Sequence, residues 1–100
     1  MLYAIIGTDH PDSLEKRMAN RPTHIERLKQ LQEEGRLVLA GPFPAIDSID
    51  PGPAGFSGSL IVAEFPSLAE AKAWAEADSF ATGGVFSSIT VQPFRKTLPA

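Results

Sequence analysis

The chain opens on an apolar run, Leu2, Tyr3, Ala4, Ile5 and Ile6, closed by Gly7 and followed by the polar pair Thr8-Asp9. A run this short fits a strand over residues 2–7. It cannot span a bilayer or serve as the apolar segment of a signal peptide, and no basic residue precedes it. After a polar turn, D-x-x-E at Asp12 to Glu15 resembles a capping box and opens a helical pattern from Ser13 to Glu34. Leu14, Met18, Ile25, Leu28 and Leu31 recur on one face of that helix. Gly35 supplies a C′ stop. Pro22 inside the run must either kink the helix or start a second one after Asn20, and we expect two segments.

Arg36 to Phe43 reads as a second strand, ended by Gly41-Pro42 and Pro44. A loop rich in proline and glycine runs from Pro44 to Ser57. Unstructured loops longer than about 12 residues are uncommon in compact domains, so residues 45–57 are expected to close part of a cleft. Gly58 to Phe65 forms a third strand. Ser67-Leu68-Ala69-Glu70 is a capping box opening an alanine-rich helix that ends near Ala77. Val85 to Phe94 is the last strand, with Pro93 near its end, and residues 96–100 are expected to fray.

The element order is β-α-β-β-α-β, the ferredoxin-like α+β arrangement, with two helices on one face of an antiparallel sheet in a single domain of residues 1–100. The strands are apolar on both sides. Leu2, Ala4 and Ile6 oppose Tyr3 and Ile5, and Leu60 and Val62 oppose Ile61, Ala63 and Phe65. One helical layer covers only one face, so a second copy packed sheet to sheet is the simplest cover for the other. A homodimer of the dimeric α+β barrel type is therefore expected.

Composition narrows the chemistry. The chain is 43% hydrophobic and 21% charged, the profile of an ordinary globule, and its formal charge of −3 argues against nucleic acid as a partner. No apolar stretch approaches a membrane span. With no cysteine in the chain, disulfides, zinc–thiolate sites and thiol nucleophiles are excluded. That composition suits the cytoplasm. No phosphate-cradling glycine motif accompanies Trp74, Phe80 and Phe86, which read as core or interface anchors, and no cofactor is called for.

Two residues stand out. On a helical wheel centred on His24, Leu28 lies at about 40°, Leu31 at about −20° and Ile25 at about 100°, so the histidine sits at the edge of the buried stripe. If the helix runs on through Pro22, Arg17 and Arg21 fall on the same arc, a local inconsistency that marks either a functional site or a wrong helix assignment, and a kink at Pro22 would relieve part of it. His10 is the only other histidine and lies in a turn beside Pro11. Asp78 follows the alanine-rich helix, where a carboxylate opposes the macrodipole unless it N-caps a short turn over Ser79 to Gly83. In a ferredoxin-like fold an acid at one helix end can meet a histidine on the neighbouring helix. A carboxylate on Nδ1–H would leave Nε2 as a base, suited to proton abstraction or elimination. Arg17 and Arg21 would receive an anionic or phenolate-like substrate, with Ser79 as a further contact. Ser57 and Ser59 are other hydroxyls, but no G-x-S-x-G context makes any of them a nucleophile. A metal site on Asp47, Asp50 and His24 is the weaker reading, because aspartates in such a loop favour local turns. The rival to catalysis is a non-catalytic dimer that binds a metabolite or partner protein, with His24 merely satisfied by Asp78.

Along nearly its whole length the chain resembles the YciI-like (YCII-related domain) family. The resemblance is carried by DSLEKRMANRPTHIERL, EGRLVLAGPFPAIDS, DPGPAGFSGSLIVAEF and AWAEADSFATGGVF leading into VQPF, with R-P-x-H, A-G-P and A-D-x-F in that order. It implies a ferredoxin-like fold, dimerisation through the sheets, and a histidine–aspartate active-site pair at His24 and Asp78. The activity it implies is lyase-type removal of halide from a hydroxylated ring. One departure is Ser79, where the family often has proline after the aspartate.

Overall fold

The computed structural model describes residues 1–100. Strand β1 (Leu2–Asp9) leads into helix α1 (Leu14–Glu33) and strand β2 (Leu37–Pro44). A 3-10 turn at Gly52–Ala54 precedes strand β3 (Phe56–Glu64), helix α2 (Leu68–Glu76), the single-turn helix α3 (Ser79–Thr82) and strand β4 (Phe86–Phe94). All pairings are antiparallel and the sheet order is β2-β3-β1-β4, the ferredoxin-like α+β arrangement.

Period-two alternation sets the inner face. Tyr3 and Ile5 of β1 pair with Ala63 and Ile61 of β3, and all four are buried in one cluster with Leu28 and Leu31 of α1 and Ala71 and Ala75 of α2. Each large apolar side chain buried this way contributes about 1.5–3 kcal/mol, so this cluster fixes the register of α1 on the sheet. The helix ends as expected at Gly35, whose φ of 71° lets Arg36 N–H reach Leu31 O at 2.9 Å. Ser67 caps α2 by accepting from Glu70 N–H at 3.2 Å.

Three local expectations are corrected. First, α1 is one continuous helix with Pro22 in its interior. The proline removes a hydrogen bond to the Met18 carbonyl, but Met18 and Pro22 are both exposed, so the loss falls on the solvent side while the buried face holds the helix together. Second, Met18 is 68% exposed rather than part of the buried stripe. Third, the capping box at Asp12 does not form. Ser13 takes the N-cap position without a side-chain cap bond, because its hydroxyl donates to Asp9 Oδ2 at 3.0 Å.

On the sheet face away from the helices, Leu39 lies opposite Val62, Phe43 opposite Gly58, and Phe94 opposite Leu2. Leu39, Phe43 and Phe94 are 49%, 41% and 40% exposed. The second face is therefore apolar in fact as well as in pattern.

Candidate functional site

The helical repeat of α1 places Arg17, Arg21 and His24 along one wall of a cavity of about 300 Å³. Pro42 of β2, Phe56 and Ser59 of β3 and Phe80 of α3 form the facing walls. The volume is that of a small-molecule site. Of residues 45–57 only Phe56 reaches the cavity; the loop tip, with Ile49 98% exposed, does not. The expectation that residues 45–57 close part of the cleft is thus corrected to Phe56 alone, the first residue of β3.

His24 of α1 and Asp78 at the start of α3 are brought together, with His24 in the cavity wall and Asp78 outside its lining. His24 Nδ1 lies 2.7 Å from Asp78 Oδ2, and both side chains are almost wholly buried. Asp78 also caps α3, accepting from Phe80 N–H at 3.0 Å through the same oxygen, so the capping role and the contact with His24 coexist. Its other oxygen, Oδ1, accepts from Arg27 Nη1 at 2.9 Å. Burial works to raise the Asp78 pKa, but the hydrogen bond and charge of His24, the Phe80 N–H and Arg27 together hold it below its ordinary value. A carboxylate accepts hydrogen bonds and donates none, so neutral His24 carries its proton on Nδ1. Nε2 makes no bond within the chain and is open to the cavity. The imidazole is stacked on Phe80, with ring centroids 3.9 Å apart and planes within 10°.

Arg17 belongs to a second ion pair in the same wall. Its Nε and Nη2 meet Asp9 at 2.6 and 2.9 Å, and Nη2 also donates to Gly58 O at 2.8 Å and Ser59 Oγ at 2.9 Å. The guanidinium lies 4.9 Å from the centroid of Phe80. Gly58 is required here: a Cβ on it would stand 2.2 Å from Gly7 O on the adjacent strand. Nη1 alone has no partner in the chain and is not sealed from solvent, so its N–H groups remain free to donate. Arg21 is exposed at the rim and forms no ion pair.

Ser79 is placed differently from the sequence expectation. Its hydroxyl donates to Asn20 O at 2.9 Å, tying α3 to α1, and it does not line the cavity. Asp50 accepts from Gly52 N–H in a local turn. Sequence reasoning missed Asp9, Arg27 and the wall role of Phe80. Asp9 had a signal, since Tyr3, Ile5, Gly7 and Asp9 are successive inward positions of β1 and Arg17 in an apolar stripe requires an acid. Arg27 follows His24 by one helical turn, a weaker signal.

Comparison with known proteins agrees with this fold. The family described as YCII-related domain matches residues 1–95. A YciI protein of Escherichia coli is 55% identical over 96 residues, covering 96% of this chain and 98% of that protein. An uncharacterised protein of Haemophilus influenzae is 50% identical over the same share of both chains. Among solved structures, 5-chloro-2-hydroxyhydroquinone dehydrochlorinase from Burkholderia phenoliruptrix AC1100, in complex with 2,5-dihydroxybenzoquinone, superposes with a TM-score of 0.82 at 26% identity. The match covers 95% of this chain and 94% of that one.

Proposed function

This chain belongs to the YCII-related domain family, and from that premise we propose that its cavity is a general acid–base site acting on a small hydroxylated or anionic ring. The observation that carries the reading is the 2.7 Å contact of His24 with Asp78, which leaves Nε2 free at the cavity wall. Asp78 fixes the tautomer and stabilises imidazolium when a proton arrives. Arg17 Nη1 and the unpaired Arg21 receive a phenolate or carboxylate oxygen. The flat walls of Phe80, Phe56 and Pro42 suit a planar ring.

The reaction class is a lyase-like elimination, by analogy with the dehydrochlorinase fold neighbour. His24 Nε2 removes the proton of a ring hydroxyl and returns it to the carbon bearing the halide. Loss of the halide with its bonding pair and of a second hydroxyl proton leaves a quinone, so the net change is loss of one hydrogen halide. No step calls for a cofactor. We further infer that the protein works as a cytoplasmic homodimer, the exposed apolar side chains Leu39, Phe43 and Phe94 of the outer sheet face packing on their counterparts.

The test is halide release from 5-chloro-2-hydroxyhydroquinone and related halogenated ring alcohols, alongside binding of 2,5-dihydroxybenzoquinone. Asparagine keeps a donor near the Nδ1 position and has no Nε2, so His24→Asn is expected to bind the quinone yet lose about 10²–10⁴-fold in turnover. Equal turnover by the unsubstituted protein and His24→Asn would remove the acid–base reading. Quinone binding at the cavity with no release from any halogenated ring would favour the metabolite-binding alternative instead.

A further inference from the structure

Asp78 is held by a third group that the acid–base chemistry itself does not use. Arg27 Nη1 donates to Asp78 Oδ1 at 2.9 Å and also to Trp74 O at 3.1 Å. Its guanidinium lies 4.3 Å from the centroid of the Trp74 ring. Three restraints therefore fix one side chain: an aromatic face, a carbonyl near the C-terminal end of α2 and the buried carboxylate. Arg27 is absent from the cavity wall, so it acts on a bound molecule only through Asp78.

We propose that Arg27 is a positioning residue of this site, which orients the Asp78 carboxylate towards His24 and shares its charge so that the imidazole keeps a proton-accepting Nε2. The proposal rests on the acid–base reading of the His24–Asp78 pair. With Oδ1 fixed by Arg27 and Oδ2 by Phe80 N–H, the carboxylate cannot rotate away from Nδ1. An Asp–His pair without a cation would favour imidazolium strongly and hold the site in its acid form. A neighbouring guanidinium offsets part of that attraction.

The other charges around His24 leave Arg27 as the group that sets this balance. Arg17 is neutralised by Asp9 of β1, and Arg21 is exposed at the rim, where solvent screens it. The walls from β2, β3 and α3 bring neutral groups, among them Pro42, Ser59 and Phe80.

The experiment is an NMR pH titration of the His24 ring in the unsubstituted protein, Arg27→Gln, Arg27→Lys and Asp78→Asn. Removing the cation in Arg27→Gln is expected to raise the half-titration pH of His24 by about one unit. Arg27→Lys, which restores the charge, is expected to return most of that shift. A role confined to clamping α1 against α2 would lower thermal stability and leave the titration in place, and that result overturns the proposal. Asp78→Asn is expected to move the midpoint in the opposite direction. If it moves and Arg27→Gln does not, the pair stands and the role of Arg27 falls; if Asp78→Asn leaves the midpoint in place, the acid–base reading falls as well. The unsubstituted protein gives a second reading that does not depend on a variant folding. The Arg27 Nη–H signals are expected to shift with the same midpoint as His24, because both groups share one carboxylate. Signals that stay flat through the His24 transition would contradict the proposal.

Discussion

Two buried carboxylates stand behind side chains that line the same cavity, and each holds a nitrogen group from α1, yet one pair carries a fixed charge and the other a titratable ring. Asp9 meets Arg17 through two bonds, and the Nη2 that bonds Asp9 also reaches Gly58 O and Ser59 Oγ. Arginine does not release its proton in proteins, so this cluster is a fixed charge pair that ties α1 to β1 and β3. Asp78 meets His24 through one bond, and the second ring nitrogen is left unbonded at the cavity. Histidine titrates near neutrality, so this cluster can change its charge without coming apart. The difference is between a fixed charge and a titratable one: the permanent ion pair anchors the helix, and the pair seven residues along the same face is the one that, on the proposed reading, exchanges a proton.

The largest effect that would break this comparison is expected at the fixed pair. Asp9→Ala strands a buried guanidinium and is expected to cost about 3–5 kcal/mol in urea unfolding, a large part of the stability of a domain this size. Asp78→Asn is expected to cost less, about 1–3 kcal/mol, because His24 can remain neutral and the asparagine oxygen still caps α3. Its sign with pH sharpens the contrast. The Asp78 pKa is lowered in the fold, so its contribution to stability is present above the ordinary value of 3.8 and is lost as pH falls through the folded value. The acid limb of the unfolding profile should flatten in Asp78→Asn. The smallest stability effect is expected at His24→Asn, about 1 kcal/mol in the same urea assay, chiefly for the lost stack on Phe80, while turnover falls by orders of magnitude. A stability loss at His24 as large as that at Asp9 would erase the distinction between the clusters.

Much of this fold is written in local patterns. The alternation of Tyr3 and Ile5 with Ala4 and Ile6, the Ser67 cap and the Gly35 stop each depend on a few neighbouring residues and appear as expected. The continuous α1 was not legible, because the cost of Pro22 is local while its compensation comes from Leu28 and Leu31 packing on a sheet distant in sequence. The site divides in the same way. His24 and Asp78 were visible through scarcity, position and family resemblance. Arg27 meets a carboxylate 51 residues away, and Arg17 a serine 42 residues away, so neither partner follows from spacing along one helix. Ser79 shows the reverse: a hydroxyl next to the acid suggested a substrate contact, and the backbone of Asn20 claims it instead.

The proposed chemistry needs Asp78 to accept a hydrogen bond from Nδ1–H of His24 and Nε2 to be left bare. Long-range 1H–15N correlation on labelled protein, at a pH where His24 is neutral, reads the tautomer of that ring directly. The Nδ1–H form is expected for His24 in the unsubstituted protein, and its loss from dominance in Asp78→Ala. An Nε2–H tautomer for His24 in the unsubstituted protein would mean that the carboxylate does not hold the ring and that Nε2 is not the base.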